Sequence, residues 1–302
     1  MGTLRIVNTF RYDHTASYPN TTLNVPSPPK LVHDFGFDRS AKFTMIYVGG
    51  RAQFSVEGGN PSGMRFEFRP TTAFCKILSQ DISLKIQEKV GLITIEGIAP
   101  GACKLSLVDA KGTTVDEISI DVVPFRSVLT RFYNLIDGKG RRAMRDPGTD
   151  PSVSQTTLID LVFEINSIIT PQCGVMMGLS GQGLIRDLGV LADLGNRVDI
   201  NKHLISLVAS SDFDRLSQYH IVFVWGIDGG HSRGITHTNV TLIQSNLGSA
   251  RSITLAHEFA HFLSGSGIIT VGDHDSDISD LLFKQFPHGI AMRQARLKKI
   301  IH

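Results

Sequence analysis

The chain has 302 residues, enough for two domains of ordinary size, each with its own core. Its formal charge at pH 7 is only +2, which gives no basic field to attract nucleic acid or an anionic membrane. No apolar run approaches the roughly 18 residues that cross a bilayer, so no membrane span is expected. The three cysteines, Cys75, Cys103 and Cys173, make no disulfide scaffold, and an odd number leaves at least one thiol free if all bonding is within the chain. Whether Cys75 pairs with Cys103 stays open at this level. Residues 1–8 lack the apolar stretch of a secretory signal, as expected of a protein that stays in the cytoplasm or leaves by a signal-independent route.

Residues 1–40 carry Pro19, Pro26, Pro28 and Pro29 among many Asn, Thr and Ser, a texture of turns and extended chain, and read as an N-terminal extension. From 41 to 124 short apolar or alternating runs appear between glycine turns, at 43–48, 52–56, 91–95, 103–107 and 118–123. Such spacing predicts an antiparallel β-sandwich. The runs 93–101 (Ile-Thr-Ile-Glu-Gly-Ile-Ala-Pro-Gly) and 105–112 resemble the later strands of bacterial immunoglobulin-like domains. That resemblance implies a spacer, or a module that binds a protein partner, with no chemistry of its own.

Residues 125–302 read as a second, α+β domain. A first strand is predicted over 127–136, followed by the turn signal Asp137-Gly138-Lys139-Gly140. Apolar residues at 158, 161, 162, 165, 168 and 169 have helical period, and Thr170-Pro171 is expected to end that helix. A second strand is predicted over 174–179, while 181–218 takes no assignment. The run 219–227 is apolar on both faces and predicts a central strand. A short edge strand follows at 234–238, then a return strand at 239–244, which leads through Ser249 or Ser252 as N-cap into a helix.

That helix carries His257-Glu258-Phe259-Ala260-His261, the pattern H-E-x-x-H. Histidines four apart lie about 40° apart on one helix face, so both imidazoles can reach one ion. Glu258 beside them is placed to take a proton from water at that ion without ligating it. Leu255, Phe259, Phe262 and Leu263 fall on the opposite side and anchor the helix in a core, leaving the histidines to face a cleft. The cofactor this predicts is Zn2+. A catalytic zinc takes three protein ligands and keeps a position for water. The third is placed at His274, because neutral imidazole is the commoner zinc donor and the acids around it can accept its other N–H. Asp273, Asp275 and Asp277 are the alternatives, and a calcium-type oxygen cluster is a further reading of the same loop. His231 and His237 are expected to be solvated or hydrogen-bonded, and His203, His220, His288 and His302 have no spacing that argues for metal.

These residues resemble the zincin metallopeptidases, and among them the metzincin or matrixin-like group, whose motif runs H-E-x-x-H-x-x-G-x-x-H/D before a methionine turn and a last helix. Here Gly265 comes one position late, Gly267 stands at the third-ligand position, a longer loop leads to His274, and Leu282 occupies the methionine place. Residues 290–300, with a basic last turn, resemble the closing helix. The resemblance implies that the edge strand at Gly234, Ile235, Thr236 and His237 lies above the cleft, where a protein or peptide substrate can add as an extra strand. Pro171-Gln172-Cys173-Gly174-Val175 resembles the matrixin cysteine switch, but between a helix and a strand inside the domain it is read as structural. The implied function is a zinc endopeptidase, with His257, His261 and His274 on the ion and Glu258 as general base and then acid. The alternatives are a catalytically degenerate zinc domain that binds a partner through the β-domain, and a zinc amidase acting on peptidoglycan. A chain with neither signal nor pro-segment fits a toxin effector delivered against another cell.

Overall fold

The computed structural model describes residues 4–8, 42–59, 61–71, 73–81, 91–136, 139–143, 155–180, 185–188, 198–199, 213–228, 234–245 and 251–265. These divide into two compact units. The first holds the described residues up to Arg126 together with Ser167–Gly174, the second Ser127–Asn166 and the described residues from Val175 on. None of the described helices is long and apolar enough to cross a membrane.

The first unit contains β1 (Arg5–Asn8), β2 (Phe43–Tyr47), β3 (Arg51–Glu57), β4 (Arg65–Phe68), β5 (Cys75–Asp81), β6 (Gly91–Gly97), β7 (Gly101–Val108) and β8 (Thr114–Val123). One sheet has the order β1-β3-β6-β5 and the other β2-β8-β7-β4. With β2 set aside, these are the A-B-E-D and C-F-G orders of an immunoglobulin sandwich. Side chains on a strand alternate between faces, so Phe54 and Val56, Ile93 and Ile95, Leu105 and Leu107, and Ile118 and Ile120 point inward in pairs and form one core. Each such side chain contributes about 1.5–3 kcal/mol on burial.

Two expectations need correction here, and two strands had no expectation at all. Residues 5–8 are not part of an irregular extension: β1 pairs antiparallel with β3, and Ile6 and Val7 are fully buried. Four residues suffice for this, since the sandwich supplies the ladder and the core. The sandwich is not wholly antiparallel, because β2 runs parallel to β8. β4 and β5 are strands with no strong sequence signal, β4 being a charged edge on which Glu67 pairs with Arg65 and Arg69. Residues 9–41 lie outside the described residues.

The second unit is built on β9 (Arg126–Leu135), α1 (Gln155–Cys173, of which the part from Ser167 on is grouped with the first unit), β10 (Val175–Leu179), β11 (Arg186–Leu188), β12 (Val198–Asp199), β13 (Tyr219–Val224), β14 (Ile227–Asp228), β15 (Gly234–His237), β16 (Val240–Gln244) and α2 (Arg251–Leu263). Its main sheet has the order β10-β9-β13-β16-β15, with β11 also on β9, while β12 and β14 form a separate parallel pair. β13 is parallel to both β9 and β16, and all six of its residues are buried, which is why its sequence is apolar on both faces. β15 closes the edge antiparallel to β16, so the sheet is mixed.

The helix α1 is pinned to β10 by Asn166, whose amide donates to the Met177 carbonyl at 2.9 Å and accepts from the Met177 N–H at 2.7 Å. It does not stop at Thr170-Pro171, as expected from the proline, but continues to Cys173. In a last turn a proline forfeits one backbone bond only, and here the Gln172 amide donates to the Ile168 carbonyl at 2.5 Å. The helix ends at Gly174, whose φ of 68° is the left-handed C′ position and whose N–H reaches the Thr170 carbonyl. Ser252 lies within the first turn of α2 and is not its N-cap; Ser249 is outside the described residues.

On one face of the sheet His220 is buried, with its ring stacked on Phe213 at 4.6 Å. The Tyr133 hydroxyl accepts from the Asp214 N–H and stands 3.4 Å from His220 Nδ1, which suits a neutral imidazole that accepts. Burial lowers the pKa of His220 from 6.5, with Asp214 opposing. A depressed pKa contributes stability that is fully present above pH 6.5 and is lost as pH falls through the folded value. Urea denaturation should therefore show the wild type weakening below pH 6.5, and His220→Phe, which cannot titrate, should show a flatter profile there.

Candidate metal centre

One helix and one edge strand make the site. α2 packs on β15 and β16, and its rings Phe259 and Phe262 lie on Tyr219 of β13 at 5.2 and 4.6 Å. Leu255 and Phe259 are fully buried, so this side anchors the helix. On the other side His257, Glu258 and His261 are 3 %, 5 % and 5 % exposed, so every residue from Thr254 to His261 in the middle of α2 is buried.

The two imidazoles converge, with Nε2 atoms 3.1 Å apart and ring planes at 79°. Two nitrogens bound to zinc at about 2.0–2.1 Å in a tetrahedron stand about 3.3 Å apart, so the spacing suits two ligands of one ion. Without an ion, the same distance is a hydrogen bond in which one ring donates to the other. Among the described residues no group of three His, Cys, Asp or Glu gathers here. His274, Asp273, Asp275, Asp277, Leu282 and His231 all lie outside the described residues, as does the expected closing helix.

Burial pushes Glu258 up to about 7, while a hydrogen bond from Thr236 pulls the other way. The Thr236 hydroxyl donates to Glu258 Oε2 at 2.6 Å and lies 3.1 Å from the Glu258 carbonyl. Thr236 in turn meets the Thr241 hydroxyl at 2.6 Å, and Thr241 meets the Tyr219 phenol. Burial raises the Tyr219 pKa, so the phenol keeps its proton. With Glu258 ionised, one arrangement satisfies every hydroxyl: Tyr219 donates to Thr241, Thr241 to Thr236, and Thr236 to the carboxylate.

The strand β15 fits against Glu258 by being small there. A Cβ on Gly234 would stand 2.9 Å from Glu258 Cγ and 3.0 Å from Oε1. Gly234 and Thr236 thus turn to α2, while Ile235 joins the core on the other face. His237 is half-buried, and its Nδ1 has no hydrogen-bond partner among the described residues. Of the four residues read as substrate contacts, Gly234 and Thr236 serve Glu258 and Ile235 serves the core, which leaves His237 and the β15 main chain as the parts that can meet a ligand. Thr236, Thr241 and Tyr219 as supports of Glu258 escaped the sequence reading; the signal was the hairpin register that sets Thr236 opposite Thr241. Cys173, 2 % exposed, donates its thiol to the Ile169 carbonyl within α1, a structural role.

No protein-family model matches the chain, and no curated protein does. Among solved structures, the S-layer protein SbsC is 20 % identical over 28 % of this chain at a TM-score of 0.23, and this chain spans 12 % of that protein's length. The BIgI domain of beta protein from S. agalactiae is 16 % identical over 28 % of this chain and 90 % of its own, at a TM-score of 0.18. A 2,6-sialyltransferase of Photobacterium sp. JT-ISH-224 is 9 % identical over 61 % of this chain and 34 % of its own, at 0.21. Scores of this size carry no argument about fold or activity.

Thr236→Val keeps the shape of the side chain and removes the donor to a buried carboxylate, which should cost about 1–3 kcal/mol in urea denaturation, whereas Thr236→Ser should cost less. Gly234→Ala should destabilise by about 1–3 kcal/mol through overpacking. In a double-mutant cycle that cost should shrink once Glu258 is also changed to Ala, because the clash is with Glu258 itself.

Proposed function

We propose that this protein is a zinc-dependent endopeptidase whose second unit is a zincin-like domain, with His257 and His261 as two ligands, His274 as the third, and Glu258 as general base and acid. The observation that carries the reading is the convergence of two buried Nε2 atoms, 3.1 Å apart, beside a buried carboxylate held near 7. A mixed sheet with an antiparallel edge strand against the same helix supports it further.

When bound, zinc would acidify water and polarise the scissile carbonyl. The remaining chemistry falls to the chain. Glu258, buried next to the two imidazoles in the helix, would take a proton from water as the carbonyl is attacked and return it to the departing amine. Thr236 holds Oε2, which leaves Oε1 to carry that proton. An extended peptide would lie along β15, which has β16 as its one strand neighbour among the described residues, held in register by main-chain hydrogen bonds. The sandwich unit would be a spacer or a module for a protein partner.

Elemental analysis of the purified full chain should find about one zinc per molecule, lost in His257→Ala and His261→Ala. Glu258→Gln should keep the metal while peptide cleavage falls by about 10²-fold or more. Cleavage at the wild-type rate by zinc-loaded Glu258→Gln, or a chain that takes up no zinc on soaking, would sink the proposal.

A further inference from the structure

The two cysteines that the sequence left unresolved come from opposite sheets of the sandwich. Cys75 is the first residue of β5, in register with Gly97 of β6, and Cys103 lies in β7, in register with Ile120 of β8. Their sulfurs are 3.3 Å apart, both residues are buried, and both are thiols. A disulfide bond is about 2.05 Å long, so about 1.2 Å of approach by side-chain rotation separates the contact from the bond. The third cysteine is engaged elsewhere, its thiol on the Ile169 carbonyl of its own helix.

We infer that Cys75 and Cys103 are a redox site: a hydrogen-bonded dithiol in reducing surroundings, and a disulfide that ties the two sheets together when the chain folds in oxidising ones. The link would join edge strand β5 to β7, unlike the B–F bond of antibody domains, which here would run from β3 to β7. The oxidant is a small disulfide such as oxidised glutathione. One cysteine thiolate attacks it, forming a mixed disulfide and releasing one glutathione, and the second cysteine attacks that bond and releases the other. Two thiol protons end on the two departing glutathione sulfurs, and the cysteine pair loses two electrons. Both sulfurs are enclosed, so the bond forms during folding or through opening at the start of β5, where a strand end frays most readily. Its effect on stability comes from closing the loop between positions 28 apart in sequence.

The test is to refold the full chain with and without a glutathione redox pair, quench one portion with an alkylating reagent in denaturant to read intact mass and peptide linkage, and measure the thermal midpoint on the other. The inference expects a 75–103 cross-linked peptide pair, alkylation at Cys173 alone, and a midpoint that falls by about 5 °C or more when reductant is added. Cys173→Ser should behave the same way, and the Cys75→Ser/Cys103→Ser double variant should show no cross-link and no effect of reductant. Should the double variant fail to fold, Cys173→Ser decides. Alkylation of all three thiols of the wild type at every redox ratio, or a linkage that includes Cys173, would overturn the inference. The outcome is independent of whether the second unit binds zinc.

Discussion

Glu258 is a carboxyl group 5 % exposed in the buried middle of its helix, and most of what surrounds it can be understood as the means of keeping it there. An ionised carboxylate taken out of water costs several kcal/mol unless donors replace its hydration. Thr236 supplies one such donor, and Thr241 and Tyr219 orient it. Gly234 concedes the space in which the carboxyl sits. The rings of Phe259 and Phe262 on Tyr219 then fix how far α2 stands from the sheet, so that packing on one side of the helix sets hydrogen-bond lengths on the other.

The two units use sheet structure differently. In the first, two twisted sheets bury alternate residues against each other, and nearly every inward position is aliphatic or aromatic. In the second, one sheet is packed on both faces, and polar groups are admitted at chosen points: His220 among Phe213 and Tyr133, Asn166 between α1 and β10, and the hydroxyl chain at Glu258. The price of each buried polar group is met by a specific partner, which makes the second unit more sensitive to single hydroxyl or amide losses than the sandwich is.

Much of this was legible in the chain alone, for physical reasons. Period-two runs such as 93–95 and 105–107 exposed the sandwich core, and the doubly apolar 219–224 announced a central strand. A spacing of four set His257 and His261 on one face whatever lay around them. Other features were hidden because their cause is tertiary. β1 sits in a window whose composition speaks of turns, yet four residues are enough where a ladder already exists. α1 outlasts Pro171 because a proline in the last turn removes a single backbone bond and Gly174 closes the end on the Thr170 carbonyl. Thr236 looked like one more edge-strand residue, and only pairing across the hairpin turns it into a support for a carboxylate.

That hairpin has a two-residue turn, Thr238-Asn239, with Thr238 at a φ of 52°, a left-handed conformation that a β-branched residue rarely adopts. A strand has only two ways to face, so the turn acts as a parity selector for everything upstream of it. Lengthening it by one residue would present Ile235 to the carboxyl and bury the threonine hydroxyl among aliphatic side chains. The support of the Glu258 carboxyl is thereby indexed to the length of the turn between β15 and β16, and divergence in this chain should tolerate changes of residue at that bend far more readily than changes of count.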